Sequence, residues 1–193
     1  MRRRIVWAAA ALAFGFLALV IWQGEPQSPG SPAEAIQIAD VASERLTTLG
    51  SVVGYAGPED SHAWLGIPFA APPTGELRWR PPRRPEPWTD TRDALAYGAP
   101  CVQLASAFGG VSDRDPGTLV GGEDCLFLNI WAPRFDPDDV PRGEGRMPVM
   151  LWIHGGGNTI GYAGSFYDGA LLAVRHDLVV VSVNYRLGPM GWL

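Results

Sequence analysis

The segment MPVMLWIHGGGNTIG, Met147 to Gly161, decides how the rest of the chain is read. Pro148 is followed by Val149, Met150, Leu151, Trp152 and Ile153, a continuous apolar run of strand length that stops at His154 and three successive glycines. A run without polar alternation is how a strand buried on both faces of a parallel sheet reads. Gly155, Gly156 and Gly157 stand where such a strand must turn. With no side chains over them, their backbone amides can close on a small anionic oxygen, either a phosphate or the oxyanion of an acyl-transfer intermediate.

Those two oxygens call for different neighbours. If Gly155 and Gly157 opened a dinucleotide fingerprint, a third glycine would be required at the position held by Ile160. A Walker loop requires lysine, and the chain contains none. The residues fit the HGGG-type element that supplies an oxyanion-hole amide between the third strand and first helix of α/β-hydrolases. On the tetrapeptide alone, a plain glycine-rich turn stays open.

Downstream, Tyr167 to His176 reads as a short helix and Asp177 to Tyr185 as a second buried strand. Strand, glycine loop, helix and parallel strand make a βαβ unit, for which a right-handed crossover is expected. Upstream, Glu123 to Trp131 alternates as a strand does and is ended by Ala132-Pro133, and Asp136 to Arg146 is a polar turn. Gly50 to Tyr55 and His62 to Ile67 flank a turn at Gly57 to Asp60, the pattern of an antiparallel hairpin. The proline-dense stretch Pro68 to Pro87 excludes a long helix, and Leu77, Trp79 and Trp88 suggest a coil pinned to a core by its apolar side chains.

At the N-terminus, Arg2, Arg3 and Arg4 precede an apolar run from Ile5 to Trp22. A positive flank before a membrane-seeking segment predicts export, with the arginines kept on the cytoplasmic side. The run is longer than a usual signal core and just long enough to span a bilayer, so cleaved signal and membrane anchor are both open. Ala33-Glu34-Ala35 lies far beyond the run for a cleavage site, which favours an uncleaved anchor. Residues 23–40, rich in Pro, Ser, Gly and Glu, read as a flexible tether, leaving 41–193 as the folded domain. A hydrophobic fraction of 47% with 18% charged residues is that of a folded chain. The net charge of -5 argues against nucleic acid and against adhesion to anionic lipid, the more so once the terminal arginines are set aside.

Cys101 and Cys125 are the two cysteines. An even number in an exported chain favours a disulfide, and a loop of this size is worth about 3 to 4 kcal/mol in the chain-entropy account. Zinc is disfavoured, since two sulfurs without clustered histidines lack the ligand set.

Four segments in order, LGIPFAAPPTGELRWRPP (Leu65–Pro82), EDCLFLNIWAP (Glu123–Pro133), the HGGG element and VVVSVNYRLGPMGWL (Val179–Leu193), resemble the type-B carboxylesterases, which include the cholinesterases. The resemblance runs from about Thr48 to the last residue. It implies the N-terminal part of an α/β-hydrolase fold: a small antiparallel hairpin, then the start of a central, mostly parallel sheet. It implies further that Gly156 and Gly157 are the oxyanion-hole donors supported by Gly155, that Cys101 and Cys125 form the family's first disulfide, and that Arg78 and Glu123 form its buried structural salt bridge. The implied substrate is a small-molecule carboxylic ester, and no cofactor or metal is implied.

Asn158 holds a position that is commonly aromatic in that family, and the segment between Cys101 and Cys125 has no tryptophan, which disfavours a quaternary-ammonium substrate. The nucleophile on its G-x-S-x-G elbow, the acid and the base come later in such chains. No serine here fits the elbow: Ser112 sits in Gly-Val-Ser-Asp-Arg and Ser165 in Ala-Gly-Ser-Phe-Tyr. His154 is expected to orient the glycine loop, His176 to end a helix and His62 to start a strand. The expectation is therefore an esterase portion with oxyanion donors and no triad, inactive on its own. A non-catalytic binding or adhesion domain and a decayed product are the alternatives. A half-sheet is expected to leave an edge and an apolar face uncovered.

Overall fold

The computed structural model describes residues 36–192. The expected signal or anchor over residues 1–22, and the expected tether as far as residue 35, lie outside the described residues. Among the described residues, no helix is long and apolar enough to cross a membrane.

In chain order the strands are β1 (Arg45–Leu46), β2 (Ser51–Val53), β3 (Tyr55–Gly57), β4 (Ser61–Pro68), β5 (Arg92–Asp93), β6 (Gln103–Leu104), β7 (Leu119–Val120), β8 (Phe127–Pro133), β9 (Val149–Ile153) and β10 (Val179–Val183). The main sheet has the order β3-β4-β8-β10-β9. The expected hairpin is its first part, with Tyr55 opposite Ala63 and Gly57 opposite Ser61. The residues before it divide, since β2 leaves for a small sheet with β1 and β5.

The α/β-hydrolase portion expected from the sequence is thus present, with a difference in pairing. β8 is antiparallel to both β4 and β10, and the parallel pair is β9 with β10, in the register Val149 to Val179 through Ile153 to Val183. The helix Ala170–Arg175 makes the crossover between those two strands, so the βαβ unit forms as expected. The helix is short because Asp177, at φ 50, leaves the helical region just after the His176 cap.

Period-two alternation sorts side chains onto the two faces. Ala63, Leu65, Trp131 and Val180 pack with Ala170 and Ala173 of the helix, and Trp131 is 0% exposed. On the other face Trp64, Ile67, Leu128 and Ile130 pack with Val52 and Trp88. A third cluster joins Cys101, Cys125, Leu126 and Leu187. The proline-dense segment carries no long helix, as expected, and is irregular apart from one 3-10 turn at Gly75–Leu77. The Trp88 indole donates to the Ser51 carbonyl at 2.7 Å, whereas Trp79 lies exposed and donates to the Pro189 carbonyl at 2.9 Å.

One expectation is corrected. β9 is not buried on both faces: it is the sheet edge, with Leu151 57% and Ile153 62% exposed. The apolar run makes the strand, but only β10 pairs with it, and the cover it receives among the described residues is partial: Met150 packs against the helix cluster and the Trp152 ring lies 5.4 Å from that of Tyr167. A depression of about 340 Å³ lined by Trp64, Ile130, Ala132 and Val179 is likewise left open on one side of the sheet.

Candidate functional site: a pinned glycine loop

At the end of β9 the chain turns at His154 into Gly155, Gly156 and Gly157, all three exposed. Gly156 has φ 115 and a Cβ there would collide with the Ile160 carbonyl oxygen, so only glycine fits this turn. The Gly156 carbonyl accepts from the amides of Thr159 and Ile160, at 3.1 and 3.2 Å. Among the described residues, the amides of Gly155, Gly156 and Gly157 donate to no acceptor.

The loop is fixed at both ends. The His154 imidazole is buried and stacks on Tyr185, ring centroids 4.3 Å apart and 19° from parallel. Its Nδ1 lies 2.9 Å from the Gly155 carbonyl oxygen, which as an acceptor places the proton on Nδ1. The Tyr185 hydroxyl donates to the His154 carbonyl at 2.8 Å. Burial lowers the His154 pKa against the opposing hydrogen bond with Gly155, so the ring is neutral near pH 7. The expected role for His154 is thereby met, and His176 caps the helix and His62 begins β4 as expected.

At the far end three buried carboxamides hold the backbone. The Gly161 amide donates to Gln103 Oε1 at 2.8 Å, and Gln103 Nε2 donates to the Gly161 carbonyl at 2.9 Å and the Cys101 carbonyl at 3.0 Å. The Ala163 amide donates to Asn184 Oδ1 at 2.7 Å, while Asn129 Nδ2 donates to the Ala163 carbonyl at 2.8 Å and to Ser182 at 3.0 Å. The bonds to Gly161 and Ala163 satisfy backbone groups that the loop leaves without a ladder partner. Asn129 and Asn184 had a visible signal, a polar side chain in or directly after an apolar strand run. Gln103 had none.

Cys101 and Cys125 are joined, with Cα atoms 4.9 Å apart. Arg78 and Glu123 form a two-pronged pair, Nε to Oε2 and Nη2 to Oε1 both at 2.6 Å. The pair is not buried, which corrects the expectation: the side chains are 40% and 24% exposed. Arg78 follows the short 3-10 turn Gly75–Leu77 in an exposed segment of chain, where water reaches both groups. The hydrogen bonds from Arg78 hold the Glu123 carboxyl below its usual range. The disulfide and this pair line one small pocket, which Gly155, Gly156 and Gly157 do not line.

A second cluster escaped the sequence reading. His62, fully buried, places Nε2 3.3 Å from Asp40 Oδ2, to which Arg134 Nη2 also donates at 3.2 Å. Burial lowers the His62 pKa more than Asp40 raises it, so this contact is a hydrogen bond from a neutral imidazole.

The model of the carboxylesterase family matches residues 42–193. The chain belongs to the carboxylesterase family. Among relatives, acylcarnitine hydrolase of Mus musculus is 38% identical over 184 residues, 93% of this chain and 31% of its own length. Fumonisin B1 esterase of Sphingopyxis macrogoltabida is 44% identical over 160 residues, 82% of this chain and 27% of its own length. A solved PNB esterase structure superposes with TM-score 0.62 at 39% identity, covering 79% of this chain and 28% of that one. This member of the carboxylesterase family therefore spans less than a third of the length of those relatives. Two of these relatives are named esterases and one a hydrolase, and the PNB esterase structure shares the fold described above.

Proposed function

We propose that the chain is the N-terminal portion of an exported serine carboxylesterase, and that Gly156 and Gly157, supported by Gly155, bind the oxyanion of its acyl-transfer intermediates. The observation that carries this reading is the loop itself: three consecutive amides without an acceptor among the described residues, on a turn pinned before and after by buried side chains. Donors fixed before reaction stabilise developing charge without reorganising.

In the reaction a serine hydroxyl attacks the ester carbonyl carbon, and the carbonyl π pair moves onto oxygen, where the glycine amides receive the charge. A histidine takes the serine proton and gives it to the departing alcohol. Water then attacks the acyl-enzyme by the same route, and the carboxylic acid leaves. The serine, acid and base are supplied by the part of the longer protein that these residues do not span. That part also covers β9 and the open sheet face. Asn158, at φ 61 beside the glycines, gives this side of the acyl pocket a polar lining. Export rests on the arginine-flanked apolar segment together with the disulfide.

The test is aryl-ester kinetics on the full-length protein. Gly156→Ala, which forces the Ile160 carbonyl aside, is expected to lower kcat by about a hundredfold or more with KM little changed. Unchanged kcat would remove the glycines from the mechanism.

A further inference from the structure

Gln103 lies 58 residues before Gly161 in sequence, yet its carboxamide closes a two-way clamp on that residue, accepting from the amide at 2.8 Å and donating to the carbonyl at 2.9 Å. The side chain is 4% exposed, so these bonds do not compete with bulk water and the carboxamide has little room for another rotamer. Its place is set by the loop that the disulfide closes. β6, which holds Gln103, pairs with β7 through Gln103 opposite Val120, and Cys101 bridges Gly122 just before Cys125. Gln103 Nε2, which carries two hydrogens, also donates to the Cys101 carbonyl at 3.0 Å. From the same loop Gly110 closes over the clamp: a Cβ there would strike Gln103 Oε1 and lie 2.9 Å from the Gly161 amide. Gly161 in turn sits against the His154 ring and the Gly155 carbonyl, with φ 120 and no room for a Cβ. A displacement of Gly161 is therefore felt at Gly155 by direct contact.

We propose that Gln103 is a positioning residue for ester hydrolysis: by holding Gly161 through both backbone groups, it carries the order of the disulfide-closed loop 101–125 to the amides of Gly155, Gly156 and Gly157. This rests on the reading of those amides as oxyanion donors. The clamp makes no substrate contact. Its loss shifts where the donors point, and a misplacement of about 1 Å at such a site costs on the order of a hundredfold in rate.

The test uses the full-length protein with two variants. Gln103→Met keeps the side-chain length and removes the two bonds to Gly161 together with the one to the Cys101 carbonyl, and Gly110→Ala presses on the clamp from the neighbouring loop. Three quantities are read in each: amide hydrogen exchange of the peptide covering residues 155–163, kcat and KM on an aryl ester, and affinity for a trifluoromethyl ketone that mimics the tetrahedral intermediate. Both variants are expected to speed exchange in that peptide at least about tenfold, to lower kcat by about tenfold to a hundredfold with KM nearly unchanged, and to weaken the ketone by the same factor as kcat/KM. Reduction of the disulfide is expected to act in the same direction. A lower thermal midpoint in Gln103→Met with unchanged exchange at 155–163 and unchanged kcat would make Gln103 a packing residue only and overturn the proposal. So would Gly110→Ala behaving as wild type in all three. If the wild-type protein itself binds the ketone no more tightly than substrate, the oxyanion reading fails, and the exchange data still decide whether Gln103 holds the loop.

Discussion

Tyr185 holds His154 twice, by the stack of its ring on the imidazole at 4.3 Å and by a hydrogen bond from its hydroxyl to the His154 carbonyl at 2.8 Å. The second contact fixes the carbonyl at which β9 ends and the glycine loop begins. Tyr185→Phe keeps the stack and removes that bond. The expected loss is about 1 kcal/mol of unfolding free energy. Urea denaturation read by tryptophan fluorescence measures it, and no loss would mean that the carbonyl finds water instead.

The pH dependence of stability follows from the two buried histidines. Burial, the larger influence on each, leaves both His62 and His154 with pKa values below the usual imidazole range. Below about pH 6.5 the unfolded chain takes up protons on these rings while the folded chain does not, so stability falls as the pH falls. Asp40 acts in a lower window. Burial raises its pKa, but the Ala42 amide, His62 and Arg134 together outweigh that and lower it, so its contribution is lost only as the pH drops through the carboxylate range. Urea midpoints between pH 7.5 and 5 are expected to decline in the wild type and to decline less in His62→Gln. Equal slopes in the two proteins would contradict the role given to His62.

Much of this was legible because local patterns carried it. The apolar run before Gly155 announced β9, the alternation around Asn129 announced β8, and the hairpin followed from Gly57 to Asp60. What was not legible depends on distance through the fold. Periodicity marks β9 as an apolar strand but does not say whether its cover lies within these residues, which is why a strand that reads as buried stands here at the edge expected of a half-sheet. Asp40 meets His62 only because its amide is tied to the Gly54 carbonyl and β3 then pairs with β4, and Gln103 meets Gly161 only because the disulfide loop lies against the glycine turn. The exposure of Arg78 and Glu123 is likewise set by what lies over them, which their own sequence does not state.

Reducing the Cys101–Cys125 bond is expected to cost about 3 to 4 kcal/mol, from the loop entropy returned to the unfolded chain. Denaturant curves with and without a thiol reductant measure the difference. A cost near zero would place the order of loop 101–125 in its other contacts.

Trp131 is the largest fully buried side chain and joins the sheet to the helix Ala170–Arg175. Trp131→Ala is expected to remove about 3 to 5 kcal/mol, the usual cost of emptying an aromatic site in a close-packed core. Calorimetric or chemical unfolding would show it. A cost under about 1 kcal/mol would mean that the helix closes onto β8 without the indole.

The most direct measurement is intact-mass and peptide analysis of the full-length protein after reaction with an organophosphate ester. The account predicts one adduct per molecule, on a serine outside residues 1–193, formed in step with loss of aryl-ester hydrolysis. Full hydrolytic activity in the treated protein, or an adduct on a serine within residues 1–193, would contradict it.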